Sequence, residues 1–349
     1  MAEYKFTMRN KNDQNQYNIL YPKICLANIL DYEPSGAQFI VYCTTGTIAQ
    51  AVSGGKTLSA TSEDGIAKIT GVGYGTWTVT AGSNTVTIEV KEFKQYKVFA
   101  TLNDYSWAEI SAVSASGDAA NLFSVGDTKS IVLNGTVGNT TFDNLKIDAY
   151  ILGINHNAEI EGNNRIHFCI GKVNNKTVGL IDSQYNQYPM TSSGYFSMSY
   201  GNSDTNSGGW NGCYMRSTIM PAIKNALPSD LQNVLKTVTK YTDNKGGSNS
   251  SSNVTATTET ICLEAQFEVH GARKYANSYE QNKQQQYDYY KNGNSKVRYE
   301  YNNTNSAVFW WNRSPYSADS SNFCGVYTNG TAGYNPSQYC FAVAPCFYV

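Results

Sequence analysis

Alternation of apolar and polar residues dominates the first third of the chain. Phe39, Val41 and Cys43 alternate, as do Leu58 and Ala60, Ala67 and Ile69, Trp77, Val79 and Ala81, and Val86, Ile88 and Val90. A period of two is that of half-buried strands. Turn signals separate the runs: Ser53-Gly54-Gly55, Glu63-Asp64-Gly65, Gly73 to Gly75, and Gly82-Ser83-Asn84. Short strands at this spacing predict a small all-β sandwich over residues 35–93. Residues 1–34 are amide-rich between short apolar clusters, which predicts an extended arm or a small strand pair.

The third region, residues 94–349, mixes periods. Ile131 to Leu133, Asp148 to Gly153, Arg165 to Ile170 and Ile261 to Val269 read as strands. Met215, Ile219, Ile223 and Leu227 fall four apart, on one helical face, with Pro221 limiting the helix or starting a new turn. Ser229 with Gln232 predicts a capping box for a helix over 230–236. The QQQ-rich stretch from Glu280 to Tyr290 predicts a polar surface helix. Gly208 and Gly209 predict a tight turn ahead of Trp210, and 245–254 reads as a flexible loop. Residues 184–209 are almost free of aliphatics and predict a long surface excursion. The fold class is therefore α+β.

The last stretch, from Ala307, changes the picture most. Phe309, Trp310 and Trp311 demand burial, and the chain ends in apolar residues around Pro345. From Tyr316 to Val349 there is no Lys, Glu, Met or Trp, and Asp319 is the only charge. Average usage of about 25% charged residues would place roughly eight charges there. Tyr, Ser, Gly and Asn between rigid anchors is the composition of an adaptable binding surface.

Net charge is -1 and the pI is about 6.3, so no basic field exists to hold nucleic acid. Residues 1–10 carry charges where a signal peptide needs an apolar run, and no apolar stretch reaches the ~18–20 residues of a membrane span. The expectation is a soluble chain made in the cytoplasm, with no membrane insertion. The eight cysteines show no CxxC, and His156, His167 and His270 have no partner at ligand spacing, so no metal and no cofactor is expected. Asp143, Asp148, Glu159, Glu161, Glu264 and Glu268 are the carboxylates available to a glycosidase, but nothing pairs them. No nucleophile elbow, P-loop or dinucleotide fingerprint occurs.

Three tracts carry a family resemblance: SGGWNGCYMRSTIMPAIKNALPSDLQNVLKTVTKYTDN, TICLEAQFEVHGARKYANSYEQNKQQQYDYY, and FWWNRSP followed by a tail ending in apolar-Ala-Pro-x-Phe. Together they resemble a C-type-lectin-like domain of the variable proteins diversified by retroelements, including phage receptor-binding proteins of the tropism-determinant type. The segment from Gly54 to Gly82 resembles Ig-like and carboxypeptidase-regulatory-like (prealbumin-like) spacers. The resemblance implies a fixed scaffold of Trp310, Trp311, Arg313, Ser314, Pro315, Val326, Gly330, Pro345 and Phe347, and a variable region of about 312–343. It implies ligand contacts from Tyr316, Ser317, Asp319, Ser321, Asn322, Cys324, Tyr327, Tyr334, Asn335, Ser337 and Tyr339. Adenine-directed mutagenesis of Asn codons, a property of that family, cannot yield Lys, Glu, Gln, Met or Trp, which fits the tail except at Gln338. Asn312 stands where the family pattern carries a scaffold residue, which would mark it as exposed.

The function implied is that of a phage tail-tip or fibre protein in the virion, binding a host cell-surface protein or glycan. The arm would dock on a tail or baseplate protein, and the chain would form a homo-oligomer, a trimer by analogy. A bacterial or prophage-encoded surface-displayed variable binder is the alternative. A formylglycine-generating-type oxidase using Cys324, Cys340 or Cys346 with copper is the third reading; on the first two the chain is not an enzyme.

Overall fold

The computed structural model describes residues 5–9, 16–20, 37–73, 75–90, 99–188, 192–201 and 203–349. The chain divides into two compact units, Met1–Tyr96 and Lys97–Val349. It is mixed α and β, and mostly β.

The first unit holds two four-stranded sheets. In one, Lys5–Arg9, Gln16–Leu20, Ala37–Tyr42 and Ile66–Val72 follow one another in space, all antiparallel. In the other the order is Lys56–Thr61, Ile48–Ser53, Gly75–Ala81 and Asn84–Val90. Phe39, Val41, Ala67 and Ile69 from the first meet Ala49, Ala51, Trp77 and Val79 from the second in one apolar cluster. Two strands of residues 1–34 thus pair into this sheet, while the remainder of the expected arm lies outside the described residues. The strand Ile48–Ser53 was not foreseen, because its inward positions are the small Ala49 and Ala51. Asp64 and Gly65, both at positive φ, make the turn before Ile66.

In the second unit Ile166–Val173 is the central strand of an eight-stranded sheet. One edge takes the 15-residue strand Thr140–Ile154, which pairs in turn with Thr128–Val137. The other edge is shared by Cys346–Tyr348 and Lys176–Gly179. Trp107 on the helix Trp107–Ser116 packs edge-on against Phe168 and Phe347, which stack on each other at 5.2 Å. That helix starts at a capping box of Ser106 and Glu109, so its first turn is satisfied locally.

Several local expectations are corrected. The face Met215, Ile219, Ile223 and Leu227 is buried, but it is built by a π-turn, Met215–Ile219, running into the α-helix Met220–Ala226 with Pro221 in its first turn. Ser229 is the first helical residue of a single turn rather than a cap. Ile261 to Val269 breaks after Cys262 and continues as the helix Gln266–His270. The expected polar helix from Glu280 to Tyr290 is two short turns, Ser278–Asn282 and Asp288–Lys291. Tyr287, Tyr289 and Tyr290 are drawn into the core and Gln284 donates to Tyr241 O at 2.7 Å, and no continuous helix presents both. Residues 245–254 are tied down, Asn277 Nδ2 donating to Ser250 O at 2.9 Å.

Candidate functional site

The tail builds a three-stranded antiparallel sheet, Trp310–Pro315, Asn322–Val326 and Ala332–Pro336, the last at its edge. Its first strand is wholly buried, and Trp310, Trp311, Arg313 and Ser314 each have a specific anchor. The Trp310 indole donates to Lys296 O at 3.0 Å beneath the Arg298 guanidinium, and the Trp311 indole donates to Phe196 O at 3.1 Å. Ser314 Oγ donates to Glu280 at 2.7 Å. Arg313 is the deepest anchor. It grips Glu268 with two nitrogens at 2.5 and 2.8 Å and also donates to Thr242 Oγ1 and Leu263 O.

Glu268 joins a closed network of buried charge. Lys240 Nζ donates to Glu268 at 2.9 Å, to the Tyr287 hydroxyl at 3.0 Å and to Glu161. All three ammonium hydrogens are thereby used. Two cations face two carboxylates, so the cluster is neutral. Burial would raise Glu268, but Arg313 and Lys240 outweigh it and hold the carboxyl far below its usual range. Burial keeps Glu161 above that range, with Lys240 opposing. His156 is pushed down to about 3 by burial and by Lys240, and its ring stacks on Tyr287 at 4.0 Å. His156, Glu161 and Glu268 converge as a metal site would, but the Lys240 ammonium already sits between the two carboxylates. The network is a structural lock under the sheet.

The eleven expected contact residues divide. Cys324 and Ser337 are fully enclosed, and Ser317 is buried. These three are corrected to scaffold. Cys324 leaves the same side of the sheet as its partner Tyr334 but is covered, its thiol toward Pro315 O. Ser317 Oγ donates to Tyr275 O at 3.0 Å. Ser337 accepts from Thr205 N at 2.9 Å and meets Ser199 Oγ at 3.0 Å, fastening the excursion to the sheet. Asn312 is buried rather than exposed, with neither amide atom hydrogen-bonded. The other eight, Tyr316, Asp319, Ser321, Asn322, Tyr327, Tyr334, Asn335 and Tyr339, keep exposed surface.

Those eight do not form one face. Cys324 is the direct partner of Tyr334 and Gly325 that of Gly333, and successive residues point to opposite sides. On one side Tyr316 stacks on Tyr334 at 4.3 Å, with the Tyr275 ring edge-on to both. On the other the Tyr327 ring lies over Gly333, where a Cβ would come within 2.5 Å of it. Tyr327, 39% exposed, touches Phe309. Phe309 in turn reaches Phe341, on which Tyr339 stacks with Tyr188 outside it at 4.4 Å.

Asp319, the tail's sole charge, is spent on its own turn, accepting from Ser321 N, Asn322 N and Asn322 Nδ2. Asn206 clamps the same loop, its Nδ2 donating to Tyr316 O, Asp319 O and Asn322 O at 2.9–3.1 Å. Tyr275, Tyr188 and Asn206 were missed. Their only signal was the Tyr- and Asn-rich composition of loops distant in sequence. Gly208 and Gly209, both at positive φ, make the expected turn before the enclosed Trp210, and a Cβ on Gly209 would stand 2.2 Å from Asp243 O. Cys324 and Cys340 are both free thiols with separate partners, Pro315 O for the first and Asp182 at 2.8 Å for the second. No helix among the described residues is long and apolar enough to cross a membrane.

Comparison with known families finds one match, over residues 180–349, to the family described as "Domain of unknown function (DUF6273)". No curated protein and no solved structure matches the chain. The matched segment holds the whole three-stranded sheet, yet its last strand, Cys346–Tyr348, pairs with Ile166–Val173 outside it.

Proposed function

We propose that the chain is a receptor-binding protein of a phage tail tip or fibre, whose C-type-lectin-like second unit recognises a host-surface ligand. The first unit, read as an Ig-like or prealbumin-like spacer, would sit between that unit and the particle, and copies would combine for avidity. The observation that carries the reading is the pairing of Tyr316 with Tyr334, braced by Tyr275, on a loop clamped by Asn206. Rings already fixed by one another lose little entropy when a ligand covers them. Beneath them lies a charge-locked strand that does not depend on the identity of the outer side chains.

Because the tyrosines occupy two sides of the sheet, the test separates them. Tyr316→Ala/Tyr334→Ala and Tyr327→Ala/Tyr339→Ala are made in the full chain, and competition with adsorption to host cells is measured beside thermal melting. The first pair is expected to lose at least ~10-fold in binding, the ~1.4 kcal/mol expected of one hot-spot ring, with melting unchanged. Undiminished competition by the quadruple variant would refute the reading. Detection of the chain in purified particles separates a virion protein from a cell-surface one.

A further inference from the structure

A row of thiols crosses the main sheet of the second unit. Cys346 is the direct antiparallel partner of Cys169 on one side and of Cys262 on the other, so all three side chains leave the same face. Ile170 N donates to Pro345 O, and Ile166 and Val349 exchange both bonds. Cys169 and Cys346 therefore form a non-hydrogen-bonded pair, the closer of the two antiparallel kinds. Glu264 joins them: a sulfur from each cysteine and one of its oxygens all lie within 4.8 Å of one another, fully buried.

Among the described residues Arg298 is the cation in contact, its Nη2 at 3.1 Å from Glu264 Oε1 and 3.3 Å from Cys169 Sγ. Tyr290 also donates to Oε1, at 3.1 Å. The other oxygen, Oε2, is buried with no hydrogen-bond partner, and a buried acceptor left unpaired is destabilising. Two thiols and a carboxyl group thus share this one cation among the described residues.

We propose that Cys169, Cys346 and Glu264 form a buried structural site for a divalent metal ion of the zinc type. Two thiolates and a carboxylate carry three negative charges, and Arg298 with a divalent ion carries three positive. Two sulfurs and one oxygen suit a borderline-soft ion over calcium or magnesium. Bonds of ~2.0–2.3 Å in a tetrahedron hold donors ~3.5–3.8 Å apart, and Cys169 Sγ, whose thiol donates to Glu264 Oε1, lies 3.8 Å from it. Binding releases the protons of both thiols and of any protonated carboxyl to solvent, so affinity falls with acidity. The site stands apart from the tyrosine surface and does not rest on the reading given above.

The test uses the full chain, because a site this enclosed loads during folding. Metal content is measured on protein as purified, and protein unfolded with a chelator is refolded with Co²⁺ or Zn²⁺ added alone. The expected result is one ion per chain and, with cobalt, the near-ultraviolet thiolate-to-metal band. Cys169→Ser and Cys346→Ser should abolish the band, and the near-isosteric Glu264→Gln should weaken cobalt binding at least ~10-fold while preserving the fold by circular dichroism. Cys213→Ser, at a buried thiol elsewhere, should leave the band intact. Refolded native protein without metal by either route overturns the proposal. So does a Cys169–Cys346 disulfide found by mass spectrometry, or a band that survives Cys346→Ser.

Discussion

Lys240→Met removes one charge from the centre of the buried network and leaves nearly the same side-chain shape. In the native chain the ammonium joins two carboxylates and the Tyr287 hydroxyl. Glu268 retains Arg313, whereas Glu161 keeps only the Asn157 amide at 3.2 Å and two neutral histidines at 3.7 and 3.9 Å. Breaking a buried pair by deleting one partner costs about 3–5 kcal/mol, a large part of the ~5–15 kcal/mol that stabilises a typical domain. With urea slopes of ~1–3 kcal/mol/M, the unfolding midpoint should fall by roughly 1–5 M.

The loss should also depend on pH. Burial already raises Glu161, and without Lys240 it rises further. A carboxyl whose folded pKa exceeds its unfolded one stabilises at low pH and loses that contribution as pH rises through the folded value. The deficit of the variant should therefore be smaller in acid and larger at neutral pH. Adding Glu161→Gln should recover a substantial part of it. A stability within ~1 kcal/mol of wild type, or a loss that is the same at pH 5 and pH 8 and unrelieved by Glu161→Gln, would refute the account of Lys240 as the counter-ion.

Four further outcomes follow from the geometry. A Cβ on Gly325 would come within 2.3 Å of the enclosed Phe309 ring and 2.6 Å of Trp310 O, so Gly325→Ala should cost about 1–3 kcal/mol by overpacking in thermal melts. Gly333→Ala should instead displace the exposed Tyr327 ring, lowering the melting temperature little while changing ligand binding if that side of the sheet takes part. Glu280, raised by burial to about 7, holds a proton when folded that the unfolded chain releases near the ordinary value of 4.5. Its contribution is present below that value and lost as pH rises through 7, at up to ~1.4 kcal/mol per pH unit. Glu280→Gln should remove that slope from stability measured against pH. Cys324→Ser should lower stability without altering ligand binding, because the thiol is enclosed.

Alternation in the sequence determined the sandwich strands around Phe39, Ala67 and Trp77, and the Gly-containing turns between them, because a half-buried strand records its buried side in every second residue. Ring size likewise marked Trp310 and Trp311 as core, and the nearly uncharged tail marked a surface solubilised by hydroxyls and amides. Tertiary structure alone decided which tail residues reach that surface. Cys324 and Ser337 resemble their neighbours in composition, yet one lies against Pro315 and the other against the 192–205 excursion. It also set Tyr334 and Tyr327 on opposite sides of one sheet, through a register no single strand encodes. Above all it brought Glu161, Lys240, Glu268 and Arg313 together from four separate stretches of chain. A charge in a sequence reads as solvated surface, and only the partner that neutralises it makes burial affordable.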